Sequence, residues 1–375
     1  MATSVWRDGR PSLSFSRNEI TGAIGDSITV LPLLVALATL TDLSLGVMLL
    51  GFAVFQVVWG LYYGVPVSVE PMKALVAFVI AGSLSVSGLA AAGLLAGGVL
   101  LAVGATGTLA AVQRYVGRPV VRGIQLAVAL VLLETGATLA WGDLQSAALG
   151  VVTALVVTAL GYRRGSALAV VGLGTVLALF TTGVPTPSVP AVEISVPSSA
   201  ALLAVRTGEA TLAQLAMTVG NAAVATSLLL DDYFDADVSA DELATSMGAM
   251  NLLAVPLGAI PMCHGSGGVA GKHAFGARTA TANVVLGVLY ALVALLAVEV
   301  LASFPMAMLG AVLALVAIEL GRTAVQTDAL GLTMGVAVVG LGTNLGVAFV
   351  GGVLVWVIRE RVTDGGGVSD AEEPS

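Results

Sequence analysis

Long apolar runs, broken by short clusters of Gly, Pro and charged residues, recur from Ile20 to Ile358. Many approach the roughly 20 residues that a helix needs to cross a bilayer core. The breaks predict about fourteen helical segments. Seven fall at 19–40, 44–63, 66–84, 88–113, 119–140, 143–160 and 166–183, and seven at 208–230, 240–259, 261–275, 280–302, 304–320, 324–340 and 342–358. Runs of Ala, Leu and Val dominate and the two-residue alternation of a membrane barrel is missing, so the expected class is an all-α polytopic membrane protein.

Landmarks in the two halves match. "GD" at 25–26 precedes "GVP" at 64–66, and "GN" at 220–221 precedes "AIP" at 259–261. Asp26 to Pro66 and Asn221 to Pro261 are both 40 residues, which offsets the halves by 195. Seven helices per half is an odd number, so the second copy is inverted relative to the first. The expected organisation is a cytoplasmic tail at 1–18, a first repeat at 19–183, a Pro/Ser-rich extracytoplasmic connector at 184–207, a second repeat at 208–358 and a short acidic cytoplasmic tail at 359–375. Inverted repeats of this kind mark secondary transporters, with the binding site where broken helices of the two repeats meet.

Each half contains one such break. "VPVSVEPMKALVAFVIAG" is β-branched and interrupted by Pro66 and Pro71, so helix becomes feasible only from Pro71 onward. "AIPMCHGSGGVAGKHAFGA" has an extended piece after Pro261, then glycines, then a short helix. Non-helical backbone at membrane depth persists only inside protein or beside a wet cavity. A half-helix start there offers unpaired N–H groups and about half a positive charge, which suits an anion. In "GSGG" the glycines let a ligand reach the backbone and Ser266 adds a hydroxyl; close helix packing explains the same small residues.

Composition sharpens this picture. The 375 residues are 57% hydrophobic and 10% charged, against roughly 25% charged in soluble domains. One cysteine and two histidines exclude an internal disulfide and a multi-cysteine metal centre. With the N-terminus inside, thirteen of the fifteen basic residues fall on the cytoplasmic side; Arg206 lies outside and Lys73 within the membrane. Lys272 and His273 are expected at the cytoplasmic face. Lys73 costs about 2.5–3.5 kcal/mol on insertion scales, and Glu70, three residues earlier, can offset it. That pair either holds the fold or serves an anion through Lys73 and a proton through Glu70. Asp26 would repel an anion, and either bonds backbone or binds a coupling cation. Ser27, Thr29, Thr218 and Thr226 supply hydroxyls nearby, and His264 either donates to a ligand or bonds a carbonyl.

"GAIGDSITVLPLLVAL", "GLYYGVPVSVEPMKA", "TVGNAAVATSLLL" and "GAIPMCHGSGGVAGKHAFGARTA" resemble the molybdate-transporter family, a branch related to SulP sulfate and anion transporters. The resemblance runs from about Glu19 to Gly352. It implies a fold like that of SulP proteins and uracil permeases: seven-plus-seven inverted repeats, a core and a gate domain, and short extended segments at Pro66–Val69 and Pro261–His264. It further implies a ligand held by Ser68, Val69, Glu70, Met72, Lys73, Asn221, His264, Gly265, Ser266, Gly267 and Gly268, with Asp26 and Glu70 as coupling groups. The implied activity is uptake of a tetrahedral oxyanion, molybdate or sulfate; alternating access across the cytoplasmic membrane is expected from the architecture, and a coupling cation from the cost of moving a dianion into a negative-inside cell. Fourteen residues follow Arg361, so no STAS domain is expected. Expected partners are molybdate or sulfate, a proton or sodium ion, the lipid bilayer and a second copy as a homodimer, with no nucleic acid, cofactor or metal.

Three rivals remain at this point. An anion channel could use the same helix ends without alternating access. A nucleobase permease shares the architecture, although Asn221 stands where a base-reading carboxylate is wanted. An intramembrane serine hydrolase lacks a histidine on a separate element to activate Ser266.

Overall fold

The computed structural model describes residues 6–7, 10–11, 13–183, 186–301 and 303–366. The first repeat runs α1 (Arg17–Leu40), α2 (Leu45–Tyr63), strand β1 (Val69–Pro71), half-helix α3 (Lys73–Ile80), α4 (Val86–Ala105), α5 (Leu109–Val116), α6 (Arg118–Trp141), α7 (Leu144–Ala159) and α8 (Ser166–Thr182). After the connector come α9 (Ser199–Leu203), α10 (Val205–Met217), a π-helical turn (Thr218–Ala223), α11 (Val224–Phe234) and α12 (Ala240–Ala254). Strand β2 (Met262–His264), half-helix α13 (Ser266–Ala274), α14 (Thr281–Leu301), α15 (Met306–Ala324), α16 (Leu330–Gly342) and α17 (Leu345–Gly366) complete the chain. Among the described residues, five helical stretches are long and apolar enough to span a membrane (α2, α4, α6, the continuous run Val205–Phe234 and α15), and bent α1 makes a sixth. Many apolar side chains on outer helices face outward, Val152 and Leu155 on α7 and Leu354 and Ile358 on α17 among them, as lipid contact requires.

Several predicted boundaries shift. The segment expected at 88–113 divides into α4 and α5 around Gly107, whose φ of +65° ends the helix in the left-handed region. The helix expected at 324–340 begins only at Leu330, because Met306–Ala324 continues the preceding helix farther than foreseen. Helix begins at Ser199, inside the interval 184–207 expected as an extended connector. The intervals 66–84 and 261–275 each resolve into a strand followed by a half-helix.

The two repeats interlock. α2 packs on α14 while α12 packs on α4, and α1 packs on α13 while α10 packs on α3. Each long helix thus meets an element of the other repeat. β1 and β2 pair antiparallel with Val69 opposite His264, Glu70 opposite Cys263 and Pro71 opposite Met262. Val69 and His264 are 195 residues apart, the offset read from the sequence landmarks. A two-fold relation between the repeats therefore passes through that pair. Met72 N–H adds a bond to the Pro261 carbonyl at 2.9 Å.

The first helix of each repeat is distorted at matching places. α1 bends by 43° between Ile28 and Val30. Pro32 lies four residues beyond Ile28, where its ring collides with that residue's carbonyl and removes the helical bond. In the second repeat, the π turn at Thr218–Ala223 takes up the irregularity.

Candidate functional site

The strand pair and the two half-helices it launches lie at the centre of the interlocked repeats. Two amides that occupy equivalent positions hold the strands in place. Gln56 of α2 donates from Nε2 to the Val69 carbonyl at 3.1 Å. Asn251 of α12, 195 residues on, accepts Met262 N–H at 2.8 Å and donates to the Met262 carbonyl at 2.7 Å. Buried backbone groups left without such partners would cost about 1–3 kcal/mol each. Both amides escaped the sequence reading. A lone Gln or Asn within an apolar run, repeated at the 195-residue offset, was the available signal.

The α13 start is built around glycine. Glu70 lies fully buried, and its Oε1 accepts Gly268 N–H at 2.6 Å while its Oε2 pairs with Lys73 Nζ. A Cβ on Gly265 would overlap the Glu70 carboxyl, and one on Gly268 would overlap Asp26 Oδ1 and Ser68 Oγ. Lys73 (side chain 22% exposed), Ser266 and exposed Gly267 form the accessible rim above that buried carboxylate. At the other half-helix, Ala74 N–H bonds Gln214 Oε1 of α10 at 3.0 Å. The two helix starts are therefore unequal: Gln214 occupies the one in α3, and Glu70 reaches the one in α13.

Several expected ligand groups are turned inward. Ser68, Val69, Met72 and His264 have no solvent exposure. Ser68 Oγ donates to Asp26 Oδ1 at 2.5 Å. His264 Nδ1 donates to the Ser68 carbonyl at 3.0 Å, which leaves Nε2 to accept from Ser246 Oγ at 2.8 Å. Tyr63 OH lies 2.8 Å from that serine in turn. Both ring nitrogens are thus used within the protein, and of the two roles open to His264 the structure places it on a carbonyl. Ser27 Oγ accepts from Tyr290 OH at 3.3 Å, and Thr218 Oγ1 accepts from Gln214 Nε2 at 3.0 Å. The side chains of Thr29 and Asn221 lie outside the described residues.

Lys272 corrects the sequence reading outright. Expected at the cytoplasmic face, it is wholly buried, and its ammonium lies 3.0 Å from Asp26 Oδ2. The same nitrogen donates to Gln56 Oε1 at 3.0 Å, the Val67 carbonyl at 2.6 Å and Asn283 Oδ1 at 2.9 Å. α1 and α13 cross closely enough to permit this because Gly25 and Gly271 meet there: a Cβ on Gly271 would lie 3.0 Å from the Gly25 carbonyl. The side chain leaves the short half-helix α13 on its inward face, whereas the distribution of basic residues had placed it with the cytoplasmic charges. It therefore leaves the positive-inside tally. His273 does lie near the surface, stacked on Tyr233 with ring centroids 4.1 Å apart.

Two interlocked halves, each contributing a strand-led half-helix to their interface, place the chain in the class of polytopic membrane transporters. The solved transmembrane domain of the cyanobacterial bicarbonate transporter BicA superposes with a TM-score of 0.64 at 16% identity, covering 91% of this chain and 99% of that one. Murine Slc26a9, an anion transporter captured inward-facing, gives 0.67 at 14% identity over 94% of this chain and 70% of that one. These likenesses establish the fold. The family model described as "Molybdate transporter of MFS superfamily" matches twice, at residues 18–132 and 206–320, once in each repeat. Molybdate transporter 1 of Arabidopsis thaliana is 30% identical over 91% of this chain and 87% of its own length. Molybdate transporter 2 of the same plant is 28% identical over 92% and 88%. The chain belongs to the molybdate transporter family, a non-enzymatic class of membrane anion transporters.

Proposed function

We propose that this chain takes up molybdate across the cytoplasmic membrane by alternating access coupled to protons. The observation that carries the reading is the rim of Lys73, Ser266 and Gly267 at the α13 start, in a family whose named relatives are molybdate transporters. A tetrahedral dianion meets there a lysine ammonium, a serine hydroxyl and the positive end of a helix. Sulfate, with the same charge and shape, is the natural competitor, and pocket dimensions decide between them. The strand pair and its half-helices form the element that moves, as one body, against the outer helices. Both termini lie in the cytoplasm, on the side that holds most of the arginines.

Entry of a dianion into a negative-inside cell costs about 4.6 kcal/mol per 100 mV, so a cation must accompany it. Glu70 is the better-placed carrier. As a carboxylate it occupies Gly268 N–H and Lys73, two of the groups an oxyanion wants. Once protonated it releases them, so proton and anion bind together. Asp26, by contrast, already faces the buried Lys272.

The test is radiolabelled molybdate uptake into proteoliposomes under imposed proton or sodium gradients, with excess sulfate as competitor. The expected result is accumulation driven by an inward proton gradient and lost in Lys73→Ala. Uptake unchanged in Lys73→Ala, or indifferent to both gradients, would overturn it. Conductance far above carrier rates would favour a channel instead.

A further inference from the structure

The buried ammonium of Lys272 is surrounded as a free cation would be. Four oxygens reach it at 2.6–3.0 Å: the carboxylate of Asp26 from α1, the amide of Gln56 from α2, the carbonyl of Val67 ahead of β1 and the amide of Asn283 from α14. Lysine only donates, so both amides must turn their oxygens toward it. Their nitrogens then serve the rest of the cage. Gln56 Nε2 bonds Asp26 Oδ2 at 2.7 Å, and Asn283 Nδ2 bonds the Val67 carbonyl at 2.7 Å. Gly60 permits the closure, because a Cβ there would lie 2.7 Å from Asn283 Cγ. Three of the four oxygens are neutral and one is charged, so a single positive charge balances the cage.

We propose that Lys272 is a tethered cation filling a monovalent-cation site between the repeats, so that Asp26 is a fixed charge and carries no ion through the cycle. A covalently held ammonium cannot leave with the substrate. It locks the loop before β1 to α1, α2 and α14 and keeps the Asp26 carboxylate neutralised throughout. The buried pair also explains how a lysine and an aspartate tolerate the membrane interior: each is satisfied by the other and by fixed dipoles.

The prediction is that a small free cation can replace the side chain once it is removed. Full-length Lys272→Ala would be purified in choline, sodium or ammonium chloride at equal ionic strength, and its melting followed by intrinsic tryptophan fluorescence. The wild type should melt alike in all three salts. Lys272→Ala should melt lowest in choline and recover in ammonium, with sodium second, since ammonium reproduces the nitrogen–oxygen distances. Molybdate uptake by the variant should fall at least tenfold in choline and rise several-fold in ammonium. The neutral double variant Asp26→Asn with Lys272→Ala should show no cation response. Equal melting of Lys272→Ala and wild type in choline would overturn the proposal. So would a variant that no cation stabilises, or that cannot be obtained folded in any of the three salts, or a double variant that still responds. The melting readout involves no transported substrate, so it stands or falls separately from the molybdate reading.

Discussion

Replacing Glu70 with glutamine removes one charge and keeps the side chain's shape, which isolates the competition at the α13 start. In the structure the Glu70 carboxylate holds Gly268 N–H at 2.6 Å and Lys73 Nζ. A hydrogen bond to a charged group contributes about 1.5–3 kcal/mol. An incoming oxyanion must displace at least one such bond, and about 1.4 kcal/mol corresponds to tenfold in affinity. Glu70→Gln should therefore bind molybdate roughly tenfold or more tighter at neutral pH, because a neutral amide competes less well. The sign with pH follows from the same geometry. Wild-type affinity should rise as the pH falls and Glu70 takes up its proton, whereas the variant's affinity should stay flat. Proton-driven accumulation should nevertheless be lost, since glutamine cannot carry the proton. Calorimetric titration of the purified protein between pH 5 and 8, with uptake measured in parallel, reads all three. Weaker binding by Glu70→Gln, or a pH dependence equal to that of the wild type, would refute the reasoning.

Other substitutions probe the scaffold. Gly268→Ala would drive a methyl into Asp26 and Ser68, both already pinned, and should cost on the order of 3 kcal/mol, seen as a lowered melting temperature. Asn251→Leu strips two hydrogen bonds from Met262 and should destabilise by about 2–4 kcal/mol; an equal loss of transport at permissive temperature would show that the clamp also positions the site. Ser266→Ala and His264→Ala should separate by assay. The first should raise the KM for molybdate with little change in melting, and the second should lower the melting temperature, because both ring nitrogens of His264 serve the protein. A histidine variant that melts like the wild type but binds molybdate poorly would return His264 to the ligand shell.

Much of the architecture is legible in the amino-acid order because its causes are local. Helix length follows from the run of apolar residues, and Pro66, Pro71 and Pro261 mark the two places where a continuous helix is interrupted. The 195-residue offset is a property of sequence alone, and the pairing of Val69 with His264 is its spatial consequence. The rim residues Lys73, Ser266 and Gly267 were likewise visible as a lysine and a glycine-rich turn beside breaks in the membrane pattern. The partners of the charges were not visible. Lys272 sits in a short half-helix with too few turns for periodicity to say which face is buried, and it reaches Asp26, 246 positions earlier, only because glycines let α1 and α13 cross closely. Glu70 could be paired with Lys73 from spacing, yet its hold on Gly268 depends on the strand register. Sequence by itself thus determined where continuous helix is interrupted and how the halves correspond. Only tertiary structure decided which charge faces which, because electrostatic pairing depends on distances of a few ångströms between segments far apart in the chain.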